Sequence, residues 1–255
     1  MRVDTQNPRA VDLARRLEHL LDPAALPADL CVVLGGDGMM LRTIRDVGAH
    51  RIFLGLNCGR VGFLMNDVGA PEDVAACLAG SLWKVHTLPR LSLVAHLLGD
   101  GAGEEGPRIV TATALNDVYV ERSTSQSCHL RVSIDGAAVV ERLVCDGLVI
   151  ATALGSTAYS LSAGGPACHA LIPSLHVTPI CAFTPRLPPM ALPLSTRVDV
   201  EPLDARRRRV RAVSDGIGTP AVTRIEVGNA ASDVRIAFFE GHDFTAALFR
   251  KVLRA

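Results

Sequence analysis

The stretch Leu30-Cys31-Val32-Val33-Leu34-Gly35-Gly36-Asp37-Gly38-Met39-Met40 decides the architecture. A short, uninterrupted apolar run reads as a strand buried on both faces, the habit of parallel sheets covered by helices. It runs straight into glycines, and Met39, Met40, Ile44 and Val47 then follow at helical spacing up to Gly48. Strand, glycine turn and helix in that order open a β/α unit. Upstream, Val11, Ala14, Leu17, Leu20 and Leu21 share one face of an amphipathic helix whose other faces carry Arg15, Arg16 and Glu18. Downstream, Ile52-Phe53-Leu54-Gly55-Leu56 is a second buried-strand candidate, and it enters the glycine-punctuated loop Asn57-Cys58-Gly59-Arg60-Val61-Gly62-Phe63-Leu64. A third helix is predicted from Pro71 to Leu78, closed at Gly80.

Beyond residue 84 the period changes from helical to two. Trp83-Lys84-Val85-His86-Thr87, Leu91 to His96, Val118-Tyr119-Val120-Glu121, Leu130 to Ile134 and Val198-Asp199-Val200-Glu201 all alternate apolar with polar residues. Such segments predict half-buried antiparallel strands. Asp135-Gly136 is a hairpin turn signal, residues 99–107 read as an acidic hairpin loop, and the arginines at 206–209 read as a solvated hairpin turn. Residues 243–255 regain a helical pattern. The expected organisation is an α/β domain over 1–87, a mostly β domain over 88–235, and a C-terminal segment over 236–255 that packs back on the first domain.

Composition excludes several classes. With 255 residues, 49% of them hydrophobic and 20% charged, the chain has ample apolar side chain for a core and is not a disordered tail. Lys plus Arg and Asp plus Glu are 26 each, so no bulk positive field marks a nonspecific nucleic-acid binder. No apolar run approaches the ~18 residues of a membrane span, and the N-terminus lacks the continuous apolar core of a signal peptide. The cysteines, 7 in number, show no CxxC spacing, which fits reduced thiols in the cytoplasm; neither they nor the 8 histidines form a metal-ligand pattern.

Two segments carry chemistry. In Gly35-Gly36-Asp37-Gly38, glycines let backbone approach a ligand, and amides at a helix N-terminus attract phosphate. A carboxylate there suits a base for a hydroxyl or a magnesium partner; the plainer reading makes Asp37 a helix N-cap. The Walker A pattern and the dinucleotide fingerprint are both absent. The second segment is Asp146-Gly147-Leu148-Val149-Ile150-Ala151-Thr152-Ala153-Leu154-Gly155-Ser156-Thr157-Ala158-Tyr159-Ser160-Leu161-Ser162-Ala163-Gly164-Gly165-Pro166. Its predicted strand enters a cluster of hydroxyls and small residues that can pack backbone against a flat base and a sugar. It lacks the GxSxG pattern of a serine-hydrolase elbow.

With these stretches in view, the sequence resembles the NAD kinases, specifically the short bacterial type. The matching segments are GGDGMML (35–41), LNCGRVGFLMND (56–67), ALNDVYV (114–120), DGLVIATALGSTAYSLSAGGP (146–166), TPICAFTP (178–185) and SDG (214–216). GGDG alone is weak, since lipid kinases and phosphofructokinases have similar loops; the ordered set is specific. The resemblance implies a Rossmann-like α/β domain followed by an all-β, sandwich-type domain. It implies transfer of a phosphoryl group from ATP or polyphosphate to the 2′-hydroxyl of the adenosine ribose of NAD, giving NADP, with Mg2+ held mainly by the phosphates.

By that resemblance, Asp37 is the acidic residue at the reacting hydroxyl, Gly35, Gly36 and Gly38 cradle phosphates, and Asn57 and Arg60 join them from the second glycine loop. Asn116 and Asp117 match the pair that grips adenosine. Thr157, Ala158, Tyr159 and Ser162 match the NAD-binding wall, Asp146 the nicotinamide side, and Asp215 a further acidic position. The family acts as homodimers or homotetramers. Some positions depart from the common pattern: Met39 replaces a threonine, Ala153 a proline, Cys145 a glycine, and Asp117 a glutamate, one methylene shorter. Residues 1–6 make a poor first strand, so either that strand is short or the sequence given starts inside a longer one. The competing readings are a catalytically impaired NAD-binding regulator and, third, a GGDG-type lipid kinase.

Overall fold

The computed structural model describes residues 1–59, 62–99 and 108–253. It divides into two units, one comprising Met1–Leu88 with Ser232–Ala255 and the other Pro89–Ala231.

The first unit is α/β. In chain order it contains β1 (Arg2–Val3), α1 (Pro8–Leu20), β2 (Leu30–Gly35), α2 (Asp37–Val47), β3 (Ile52–Asn57), α3 (Pro71–Ala79) and β4 (Trp83–Leu88). The weak N-terminal sequence forms a strand of two residues, paired in parallel with β2 at Arg2–Val33 and Val3–Leu34. The Asn7 side chain caps α1 by accepting from Arg9 N, with Pro8 at the first helical position, where its missing N–H costs nothing. Ala10, Leu13, Ala14 and Leu17 of α1 and Val74, Ala75 and Leu78 of α3 pack on Val32, Leu34, Leu54 and Leu56. Val33 and Phe53 point to the opposite face, because successive strand residues alternate sides.

The second unit holds β5 (Leu91–Leu97), β6 (Ile109–Ala114), β7 (Asp117–Arg122), β8 (Cys128–Ile134), β9 (Ala137–Cys145), β10 (Gly147–Thr152), the short helix α4 (Tyr159–Ser162), β11 (Ser174–Ile180), β12 (Met190–Pro193), β13 (Val198–Leu203), β14 (Val210–Ser214), β15 (Ile217–Thr219) and β16 (Val222–Asn229). They form two sheets, in the orders β6-β5-β16-β13-β8-β9 and β12-β11-β10-β7-β14-β15. Neighbouring strands in both are antiparallel. Leu91, Leu93, Leu130 and Val132 from one sheet and Val118, Val120, Leu148 and Ile150 from the other share one apolar core. That is a sandwich. Asp135 and Gly136 both have positive φ and turn β8 into β9. The hairpin reading of 206–209 is corrected: this segment leads from β13 in one sheet to β14 in the other. Arg208 Nη1 donates to Ser127 O, and Arg206, Arg207 and Arg209 are exposed. Residues 100–107, read as a loop, lie outside the described residues.

The chain then returns to the first unit with β17 (Val234–Phe239) and α5 (Phe244–Leu253). β17 enters the first sheet between β3 and β4, parallel to β3 and antiparallel to β4, giving the order β1-β2-β3-β17-β4. No helix among the described residues is long and apolar enough to cross a membrane.

A buried asparagine closes this sheet. β3 and β17 pair only as far as Leu54–Ala237. Just past that point Asn66 sits between them: its Nδ2 donates to Gly55 O (2.9 Å) and Ala237 O (3.2 Å), and its Oδ1 accepts from Phe239 N (2.7 Å). Its backbone also bonds β3, with Asn66 N to Gly55 O and Asn57 N to Asn66 O. A side chain at Gly55 would meet Met65 Sδ at 2.4 Å and Leu64 O at 2.8 Å, so only glycine lets residues 64–66 lie this close. Replacing Asn66 by Ala leaves buried backbone groups without partners. We expect Asn66→Ala to lose about 2–3 kcal/mol of stability, read as a lower urea midpoint at unchanged slope. An unchanged midpoint would mean that the amide carries none of this load.

Candidate active site

In the first unit, the candidate residues start at the C-terminal end of β2, where ligands of open α/β sheets bind. The N-cap of α2 is Gly36, without a side-chain cap bond, and Asp37 is the first helical residue. This corrects the N-cap reading of Asp37. Its carboxylate reaches out of the helix to the second glycine loop. Phe63 N donates to both Oδ1 and Oδ2 at 2.9 Å, and Leu64 N donates to Oδ1 at 3.0 Å. A Cβ at Gly62 would lie 3.1 Å from Asp37 Oδ1 and 2.8 Å from Met65 Cγ, so this glycine lets the loop pass the carboxylate. Oδ2 spends one hydrogen bond on the protein and retains acceptor capacity.

The predicted glycines differ in kind. A Cβ at Gly35 would meet Met39 Cβ at 2.9 Å, which makes Gly35 a packing glycine. Gly36 and Gly38 have no atom within 4 Å of such a Cβ and so border open space. Asn57 folds its own loop, with Oδ1 accepting from Gly59 N at 2.9 Å. Arg60 lies outside the described residues. Reading the motifs alone missed Lys251 of α5, whose Nζ stands 4.8 Å from the centroid of the Phe63 ring.

The second unit brings Asn116, Asp117, Thr157, Tyr159 and Asp215 together. Asp215 and Gly216, both at positive φ, form the turn between β14 and β15. The Asp215 carboxylate accepts from Leu115 N (2.7 Å), Asn116 N (2.9 Å) and Asp117 N (3.3 Å). Its work within the chain is thus to hold the start of β7. Asp117, at the first position of β7, is only 5% exposed. Burial, and then the neighbouring Asp215 charge, raise its pKa from 3.8 to about 7, outweighing the opposing bond from the Tyr159 N–H.

The 152–157 segment is fastened to the same place. Thr152 Oγ1 donates to Leu115 O at 2.7 Å and accepts from Gly155 N at 3.1 Å. A Cβ on Gly155 would fall 1.9 Å from Asn116 O, so no other residue fits. Most of the hydroxyls that suggested a ligand wall turn inward. Ser156 Oγ donates to Ala153 O, Thr157 Oγ1 to Leu154 O, and Ser160 Oγ bonds Thr178 Oγ1 at 2.8 Å. They shape the backbone; Ser162 is exposed, and Ala158 and Tyr159 are partly so. The Tyr159 ring meets Tyr119 edge-on, with centroids 4.9 Å apart. Asp146, where β9 passes into β10, takes an ion pair from Arg122 Nε at 2.7 Å. Among the described residues no group of three or more His, Cys, Asp or Glu could hold a metal.

Comparison with known proteins identifies the family. Residues 115–234 match the family model described as ATP-NAD kinase C-terminal domain. The NAD kinase of Brucella suis is 36% identical over 249 residues, covering 95% of this chain and 91% of that protein. The NAD kinase of Caulobacter vibrioides is 42% identical over 194 residues, 74% of this chain and 69% of the relative. Among solved structures, yeast NADH kinase complexed with NADH superposes with a TM-score of 0.74 at 28% identity, over 90% of this chain and 66% of that one. An NAD kinase from Archaeoglobus fulgidus in complex with ATP gives 0.75 at 22% identity, over 97% and 96%, and so shares the fold. With an amide-held aspartate after β2, a buried Asp117 opening β7 and the NAD kinase of Brucella suis matched at 36% identity over 95% of this chain, the chain belongs to the NAD kinase family.

Proposed function

We propose that this NAD kinase transfers the terminal phosphoryl group of ATP to the 2′-hydroxyl of the adenosine ribose of NAD, with Asp37 as the acceptor of the hydroxyl proton. The observation that carries the reading is the Asp37 carboxylate, pinned by the Phe63 and Leu64 amides with Oδ2 still able to accept. As the ribose oxygen bonds to the γ-phosphorus, the bond from that phosphorus to the β–γ bridging oxygen breaks, ADP leaves, and the hydroxyl proton passes to Asp37. Phosphoryl transfer asks mainly for alignment and charge neutralisation. A carboxylate is a weak base toward a hydroxyl, so it acts late, contributing roughly 10²–10⁴-fold.

Gly36 and Gly38 leave open backbone for the donor's phosphates. Asn116, Asp117, Ala158, Tyr159 and Ser162 receive the adenosine half of NAD, Thr157 and Asp215 hold that wall in shape, and Asp146 serves the nicotinamide side. A Mg2+ ion would be ligated chiefly by the donor's phosphate oxygens, hard ligands of the kind it prefers, with the Asp37 carboxylate nearby. When bound, the ion supplies neutralisation of the phosphate charge. We further assign a cytoplasmic location and a homodimeric or homotetrameric assembly.

A coupled assay with ATP and polyphosphate against NAD tests the activity, and the expected product is NADP in the presence of magnesium. Asp37→Asn keeps the amide-bonded shape but not the proton acceptor. Its kcat should fall at least about 100-fold with an unchanged unfolding midpoint. Wild-type protein that binds NAD and forms no NADP with either donor would sink the reading.

Asp117 gives a pH signature. Its folded pKa of about 7 lies above the unfolded value of 3.8. The stability it contributes is therefore complete below the unfolded value and is lost as pH rises through about 7. Thermal unfolding between pH 5 and 8 should show the wild type declining relative to Asp117→Asn; parallel curves would refute the shift. If the ionised carboxylate accepts from ribose, KM for NAD falls as pH rises through the same range.

A further inference from the structure

We propose that Lys251 binds the polyphosphate chain of the phosphoryl donor beside Asp37, an assignment that rests on the kinase reading above. Lys84 and Lys251 are the only lysines in the chain. On α5, Phe244 and Ala247 are buried against the first unit. Lys251 lies four residues beyond Ala247 and seven beyond Phe244, on the same helical register, where the pattern would place an apolar side chain. It is thus carried inward with the apolar face.

Its ammonium lies over the face of Phe63, 4.8 Å from the ring centroid. Phe63 is 3% exposed, and its N–H is one of the two that hold Asp37. Burial pushes the Lys251 ammonium toward losing its proton, while the negative charge of Asp37 pulls the other way. Lys251 forms no ion pair among the described residues, whereas the neighbouring cation Arg250 pairs with Asp67. A ring face returns only part of what a cation loses on leaving water. The Asp37 charge offsets only part of that loss, because its carboxylate forms no ion pair with the ammonium and is shared with two backbone amides.

What the place lacks is an anion, and the glycine loop has room for one at Gly36 and Gly38. A phosphate chain there would neutralise the ammonium as a compact point charge does best. The ammonium would in turn offset the repulsion between the phosphate chain and the Asp37 carboxylate. Lys251 therefore supplies a cation that the GGDG loop itself does not contain.

The test uses the full chain with Lys251→Met, which keeps the apolar stem, and Lys251→Arg, which keeps the charge. Calorimetric titration with magnesium tripolyphosphate, without NAD, reads donor-chain binding independently of catalysis. The expected result for Lys251→Met is roughly 10- to 100-fold weaker tripolyphosphate binding and a matching rise in KM for ATP. KM for NAD and the unfolding midpoint should stay unchanged, and Lys251→Arg should recover most of the loss. Unchanged tripolyphosphate binding overturns the assignment, including the case where only kcat falls, which would make Lys251 a residue acting through Asp37. Equal losses in both variants together with a lower unfolding midpoint overturn it as well, in favour of a packing role. If wild type binds tripolyphosphate through Lys251 but makes no NADP, the kinase reading fails and the anion site stands.

Discussion

Two consecutive backbone amides, Phe63 and Leu64, hold the carboxylate of Asp37, and much of the first unit is arranged so that they can. An amide that points at a carboxylate must come from a chain segment with irregular backbone, since regular strands and helices use their own N–H groups. Residues 62–66 are that segment. They reach the helix start because Gly62 and Gly55 carry no side chain at the two closest approaches. They stay there because Asn66 ties the segment to both β3 and β17. The sheet, the loop and the carboxylate are consequently one mechanical unit, and the rigidity of a strand pair is passed to a single side chain.

The second unit solves a related problem with opposite electrostatics. Asp117 is buried beside another carboxylate, which makes ionisation costly. Asp215 is tolerated because three backbone N–H groups converge on it. Two aspartates close in space thus have different duties. One organises backbone, and the other has its pKa raised to about 7 by burial and by its neighbour's charge. The inward hydroxyls of Ser156, Thr157 and Ser160 likewise fix a backbone of small residues.

Much of this was legible along the chain. The buried runs at 30–34 and 52–56, the glycine loops and the switch to a two-residue period state the two kinds of domain, because local pattern follows the geometry of each element. Asp37 was visible as a carboxylate in a glycine turn, and Asn116, Asp117 and Asp215 through the resemblance to the NAD kinases. Their duties were not equally visible. That Asp37 reaches across to another loop and does not cap its own helix depends on a contact 26 residues away in sequence. The arginines at 206–209 looked like a hairpin because a crossing between two sheets leaves no local mark.

By itself the sequence determined which segments are strands and helices, where backbone could approach a ligand, and which residue types could move a proton. Those properties depend on neighbours within a few positions. Only the tertiary structure decided that β17 enters between β3 and β4, that Asn66 joins them, and that a lysine from the last helix stands over Phe63. Strand order and side-chain contact are set by which surfaces bury each other. Residues 188 positions apart in sequence meet there with no periodicity to announce it, since Lys251 and Phe63 are brought together only by the packing of α5.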